Sequence, residues 1–259
     1  MPEGHSVHRI ARQFRVNFVG TSPEVTSPQG RFAAGAARLS GREMTDARAV
    51  GKQMFLEFGH ADWLRVHLGI YGAWDFSGDV RVDPAIMIHG HTPGHSKLGQ
   101  TGEYARPGAP ALDLAGEDSV TSIGAPRRTR MRMAEDDRES AAPVTFPPDP
   151  VGQVRVRLLN DAVCADLRGP TACEVLTPAE VDRVLDRLGP DPANANTPAE
   201  RERFVSRALR KRTPIGLVLM DQSVVAGIGN VYRAELLFRA ELDPHTPANT
   251  LDRTVLEAL

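Results

Sequence analysis

The sequence predicts an α+β protein, with a sheet-rich N-terminal part flanked by a helix and then an all-α part. Three observations predict this. Over residues 25–76, and again from residue 151, apolar residues fall in short runs punctuated by glycine. From Thr177 onward they recur at helical spacing instead. Capping signals also mark the starts of the later helices.

The elements follow in order. Residues 5–18 read as a helix, because Val7, Ile10, Phe14 and Phe18 share one face and Arg9, Arg12 and Arg15 lie elsewhere on the wheel. Residues 25–76 read as short strands, among them 55–58 and 63–68, bounded by Gly51, Gly59 and Gly69. This is the pattern of an antiparallel sheet or sandwich. Residues 84–150 are rich in proline, glycine and charge, and read as a long mobile insertion. The sheet resumes at 151–159, where Val154, Val156 and Leu158 alternate with Arg155 and Arg157, and runs on through 162–167. Thr177-Pro178-Ala179-Glu180 is a capping-box start with proline at the first helical position. Further helices are expected at 198–211, 215–221, 231–240 and from Asp252, with a tight turn at 227–230. The domain boundary is placed near 176, giving 1–176 and 177–259.

Composition sets the limits. The chain has 259 residues, 41% hydrophobic and 25% charged, which is ordinary for a folded protein. A net charge of −2 excludes a globally basic nucleic-acid binder but not a local basic face. Two cysteines, Cys164 and Cys173, exclude a disulfide scaffold and a four-cysteine metal site within this chain. No apolar run approaches the roughly 18–20 residues of a membrane span, and no signal peptide is visible. A cytoplasmic protein without membrane association is expected. No coiled-coil or repeat pattern is present, so a monomer is the simplest expectation. Only three of the 31 basic residues are lysines, Lys52, Lys97 and Lys211.

Four features could carry chemistry, although each alone is compatible with an ordinary structural role. First, Met-Pro starts lose the methionine, which leaves Pro2 with a secondary amine. An α-amino group has a pKa of about 7.7–8, so it is largely neutral at physiological pH. It can attack a sugar C1′ and form a Schiff base, with Glu3 beside it as proton donor. Second, Lys52 enters a strand after Gly51 and could hold a phosphate or assist a reacting sugar. Third, His67-Leu68-Gly69-Ile70-Tyr71-Gly72 forms a tight loop that projects Ile70 and Tyr71, as a wedge for a base stack would. Fourth, Gly227-Ile228-Gly229-Asn230 starts a helix whose free N–H groups suit phosphate, with the Asn230 amide beside them. A run of net charge +5, residues 201–212, with Arg210 and Arg212 at its end, precedes that turn.

Together, Pro2-Glu3-Gly4, Gly51-Lys52, the 67–72 loop, Leu167-Arg168-Gly169-Pro170 and Gly227-Ile228-Gly229-Asn230-Val231-Tyr232-Arg233-Ala234-Glu235 resemble the formamidopyrimidine-DNA glycosylase / endonuclease VIII family. The resemblance spans both ends of the chain and skips the insertion. It implies an N-terminal β-sandwich catalytic domain and a helix–two-turn–helix DNA-binding domain. It further implies a DNA glycosylase with lyase activity that acts on damaged double-stranded DNA in base excision repair. By that resemblance Pro2, Glu3 and Lys52 are catalytic, with Glu3 the acid at the deoxyribose ring. His67, Ile70, Tyr71, Gly229, Asn230, Arg210 and Arg212 are the expected DNA contacts. Gly4 and Tyr71 look more like the endonuclease VIII branch, which removes oxidised pyrimidines.

Two departures stand out. Ser6 occupies a position where the family carries an acidic residue. The family's C-terminal zinc finger would need cysteines that this chain lacks, so no cofactor is expected here, and the sequence reads as ending short of that finger. Two competing readings are a non-catalytic binder of damaged DNA and a metal-dependent hydrolase. The second rests on His89, His91 and His95, with His5 and His8.

Overall fold

The computed structural model describes residues 2–83, 122–125 and 145–259. The helix α1 (Gly4–Asn17) forms because Val7, Ile10, Ala11 and Phe14 recur on one face, and all four are buried. Among the described residues, nine strands follow in two antiparallel sheets. β1 (Glu24–Thr26), β5 (Ala73–Gly78), β6 (Ser122–Gly124), β7 (Val154–Leu159) and β8 (Val163–Arg168) make one, in the order β1-β7-β8-β5-β6. β2 (Met44–Val50), β3 (Gln53–Phe58), β4 (Asp62–His67) and β9 (Ala172–Leu176) make the other, in chain order.

Both sheets and α1 share one apolar core. Met54, Leu56, Phe58, Leu64 and Val66 come to it from one sheet, and Trp74, Phe76, Val156, Leu158 and Leu167 from the other. Phe14 of α1 sits in the middle, with its ring 4.7 Å from Trp74 and 5.2 Å from Phe18 and Phe76. Alternation also places the opposite side chains. Phe55 and Trp63 face the other way and pack on Val181 of α3 (Pro178–Leu185). Arg157, between two inward residues, makes a two-pronged pair with Asp166 at 2.7 Å.

The capping box at Thr177 and Glu180 is formed. The switch from strands to helices falls between Leu176 and Pro178, but the change of core comes later. By packing, α3 goes with the sheet. The second core is built by α4 (Pro198–Leu209), α5 (Ile215–Val218), α6 (Asn230–Arg239) and α7 (Arg253–Ala258), through Val205, Ala208, Ile215, Val218, Val224, Val225, Leu237 and Leu256.

Three expectations need correction. Within the stretch read as strands, Ala33–Leu39 is a helix, α2. Its run of alanines has high helix propensity, and with only Ala36 and Leu39 buried it carries little periodic signal. Within the expected insertion, Ser122-Ile123-Gly124 is a strand paired with β5, and Ile123 is fully buried. The helix expected over 215–221 ends at Val218, because the Asp221 carboxylate draws the chain into a turn by accepting the Ser223 N–H and Oγ–H. Residues 84–121 and 126–144 of the insertion, including His89, His91, His95 and the 127–138 charge run, lie outside the described residues.

Candidate active site

The first residues of the chain meet the first turn of α6. Glu3 precedes α1 in extended backbone and is completely buried. Its carboxylate accepts three backbone N–H groups at the α6 N-terminus. Oε1 takes Val231 N–H at 2.7 Å, and Oε2 takes Gly229 N–H at 3.1 Å and Tyr232 N–H at 3.2 Å. These are the donors that a helix start leaves unsatisfied. Hydrogen bonds to a charged group are worth about 1.5–3 kcal/mol each. Ordering a glutamate side chain costs about 1.5–2 kcal/mol. The bonds win, so Glu3 is fixed in place. Gly229 is required by this contact, since a Cβ there would lie 2.4 Å from the Glu3 Cδ. The expectation that the amides of this helix start stand free for phosphate is therefore corrected at Gly229, Val231 and Tyr232, because a carboxylate from the same chain already accepts them.

Pro2 is buried beside Glu3. Lys52, at the start of the β2–β3 hairpin return, is half-buried, which lowers its ammonium pKa, and the charge of Glu3 partly opposes this. His67 pairs with Gln53 across β3 and β4, next to Lys52. Burial lowers its pKa, and the positive charges of Arg65 and Lys52 add to the effect. Its Nδ1 accepts the Gly69 N–H at 3.2 Å, which puts the proton of the neutral ring on Nε2.

The 68–72 segment carries the chain from β4 in one sheet to β5 in the other. A second crossover, 169–171, lies against it. Thr171 N–H bonds the His67 carbonyl at 2.8 Å, and a Cβ on Gly69 would strike the Thr171 hydroxyl. This support leaves Ile70 and Tyr71 at the tip, 56% and 44% exposed. Asn230 is exposed at the first position of α6.

Pro2, Glu3, Lys52, His67 and the Gly229 turn are thus gathered in one place. Arg210 and Arg212 are not seated on Glu3. They are exposed where α4 ends, beside Lys211, which pairs with Asp221 at 2.9 Å. The basic run is less free than its sequence suggests. Arg203 and Arg207 both donate to the Leu188 carbonyl, and Arg203 also pairs with Glu200.

Sequence reasoning missed Asp191 entirely and took His5 and His8 only as metal ligands. His8 instead bonds Asp191 at 2.8 Å, and the His5 ring packs edge-on against Tyr232 at 5.3 Å. The available signal was Pro190-Asp191-Pro192, an aspartate between prolines at a helix end, which is a turn signature. Among the described residues no group of three or more His, Cys, Asp or Glu side chains is placed to hold a metal ion. Cys164 is buried with its thiol pushed up to about 11, and Cys173 is pushed up to about 12, in both cases chiefly by burial. Among the described residues no helix is long and apolar enough to cross a membrane.

Comparison with known proteins bears on both parts of the chain. The model of the formamidopyrimidine-DNA glycosylase N-terminal domain matches residues 1–137, and that of the formamidopyrimidine-DNA glycosylase H2TH domain matches residues 188–259. Endonuclease 8 1 of Mycobacterium tuberculosis is 35% identical over 258 residues, covering 100% of this chain and 72% of that protein. The formamidopyrimidine-DNA glycosylase of Thermobifida fusca is 26% identical over 269 residues, covering 100% of this chain and 73% of that protein. In fold, the chain is similar to Lactococcus lactis Fpg crystallised with N7-benzyl-Fapy-dG DNA. The TM-score is 0.65 at 15% identity, over 99% of this chain and 74% of that one. With both domain models matched and a relative 35% identical along the whole chain, the chain belongs to the formamidopyrimidine-DNA glycosylase / endonuclease VIII family of DNA-repair glycosylases.

Proposed function

We propose that this protein is a bifunctional DNA glycosylase and abasic-site lyase that favours oxidised pyrimidines in double-stranded DNA. The observation that carries the reading is the seating of Glu3 on the α6 N-terminus, with Pro2 buried beside it and Lys52 within reach of its charge.

The chemistry follows from those groups. With Met1 removed, the Pro2 nitrogen attacks C1′ of the damaged nucleoside, and the base leaves with the electron pair of the glycosidic bond. The sugar ring opens to an iminium on Pro2, and its ring oxygen takes up a proton. Glu3 serves there as a relay: Oε1 holds a single N–H donor, so its free lone pair takes the proton that the Pro2 nitrogen releases on forming the iminium and passes it to the ring oxygen. The iminium acidifies C2′: its proton passes to water, the C–H electron pair forms an enamine, and the enamine expels the 3′ phosphate with the C3′–O electron pair, which nicks the strand. Lys52 supplies a compact positive charge for phosphate, and Asn230, exposed at the helix start, supplies an amide. Pro2 and Glu3 lie side by side in a buried corner, so a nucleoside must be extruded from the stack to reach them. Ile70 and Tyr71, exposed at a braced tip, suit the vacated space in the stack. The pyrimidine preference rests on Gly4 and Tyr71. It is supported by the higher identity to an endonuclease 8 protein than to the Thermobifida glycosylase.

Borohydride trapping on duplexes carrying an abasic site or an oxidised pyrimidine tests this reading. The wild type should yield a covalent adduct and Pro2→Gly should not. Undiminished trapping by that variant, or mass spectrometry of active protein with methionine still attached, would remove Pro2 as nucleophile.

A further inference from the structure

We propose that Asp191 is a positioning residue for the reaction, holding the segment that carries Lys52 against the helix that carries Pro2 and Glu3. The inference rests on the glycosylase/lyase reading above and deepens it.

Asp191 lies in the loop between α3 and α4, far from Glu3 and Lys52 in sequence, and its side chain is almost wholly buried. Oδ2 accepts the Gly51 N–H at 2.6 Å, the His8 Nε2–H at 2.8 Å and the Asn194 amide at 3.0 Å, while Oδ1 accepts the Ala193 N–H at 3.0 Å. Gly51 is the residue before Lys52, and His8 is on α1 directly after Glu3. One carboxylate therefore ties both reactive segments. Asn194 extends the clip with a 2.8 Å bond to the Ala49 carbonyl at the end of β2.

The same loop also holds the turn that receives Glu3. Gly189 N–H donates to the Gln222 carbonyl and Ala226 N–H to the Pro190 carbonyl, each at 2.8 Å. The Gln222 side chain in turn accepts the Gly227 N–H and donates to the Ile228 carbonyl, each at 3.0 Å. At the centre three glycine backbones touch. Gly227 lies against Gly4, with a 2.9 Å hydrogen bond from Gly4 N–H to its carbonyl, and against Gly51. Burial alone would raise the Asp191 carboxyl, but the His8 bond and the N–H groups of Gly51 and Ala193 outweigh it and hold it below the usual range. The carboxylate is thus the form built into the junction.

A carboxylate that only stabilised the fold would change stability and leave the chemical step alone. Positioning predicts something else. Single-turnover trapping on an abasic-site duplex should fall by about tenfold or more in Asp191→Ala, because small displacements of reacting groups are costly. The Kd for that duplex should stay within about threefold of wild type. Asp191→Asn keeps an acceptor for Gly51 and should recover part of the rate. The pH profile gives a second readout. Lys52 faces Glu3 and His67, with Arg65 behind His67. Released from its buried seat, Lys52 regains a higher pKa, so the alkaline limb of the trapping rate moves to higher pH. If Asp191→Ala does not fold, Asn194→Ala carries the same prediction at about threefold in rate, since it removes one bond of the clip. Wild-type rate and pH profile in a cooperatively melting variant, or a loss confined to Kd, overturn the proposal. Absence of trapping by the wild type would count against the enzymatic reading instead.

Discussion

The turns at 68–72 and 227–230 read alike in sequence, as glycine-rich corners next to apolar residues, yet they end in opposite environments. The first is braced from behind by Thr171 and pushes Ile70 and Tyr71 into solvent. The second is turned inward, with Gly229 buried and its amide on a buried carboxylate from the other end of the chain. Glycine serves close approach in both. The difference lies in what approaches: a neighbouring crossover in one case, a reactive side chain in the other. The outward corner stays exposed, while the inward one is already committed to holding Glu3.

That contrast can be broken at its inward end by Gly229→Ala. The added methyl would sit 2.4 Å from the Glu3 Cδ, so either the carboxylate or the helix start must shift. Trapping and excision rates should fall by about a hundredfold. The denaturant midpoint should drop by an amount worth about 1–3 kcal/mol. A near-normal rate would mean that the seat of Glu3 does not matter to the chemistry.

At the outward end, Ile70→Ala and Tyr71→Ala should leave stability within about 0.5 kcal/mol, since exposed residues away from special features contribute little. Excision from duplex should fall by about tenfold, in line with a flipping cost of a few kcal/mol that the wedge offsets. Trapping on single-stranded abasic DNA, which has no stack to fill, should not change. Equal losses on both substrates would place these residues elsewhere in the reaction.

A smaller effect is expected from Arg210→Ala with Arg212→Ala, which lie outside both turns. Every phosphate that these changes leave without its arginine should lower the slope of log affinity against log salt by about 0.9. An unchanged slope would separate the end of α4 from the DNA interface.

Much of the fold is legible in the chain itself. The α1 stripe, the β3 and β4 runs, the Thr177 capping box and the 227–230 turn all depend on residues within a few positions of each other. Periodicity and capping report such neighbours directly. The short strands β6 and β9 are not legible in this way, because a strand of three or five residues carries almost no pattern of its own. Ile123 is recognisable as core only once β5 lies beside it. The site divides the same way. Pro2, Glu3 and Lys52 stand out as reactive types at telling positions. Asp191 does not, since its bonds reach 183 residues back to His8 and 140 back to Gly51.

Local chain chemistry was enough to specify where helices begin and where the backbone can bend sharply, and which side chains to weigh as candidates. Folding alone decided that Glu3 would fill the N-terminus of α6, 226 residues away from Gly229, and so deny that helix start to phosphate. The physical reason is that unsatisfied N–H groups will take whichever anion is held nearest. Nearness between the two ends of a chain is a property of the packed core, which no stretch of sequence contains.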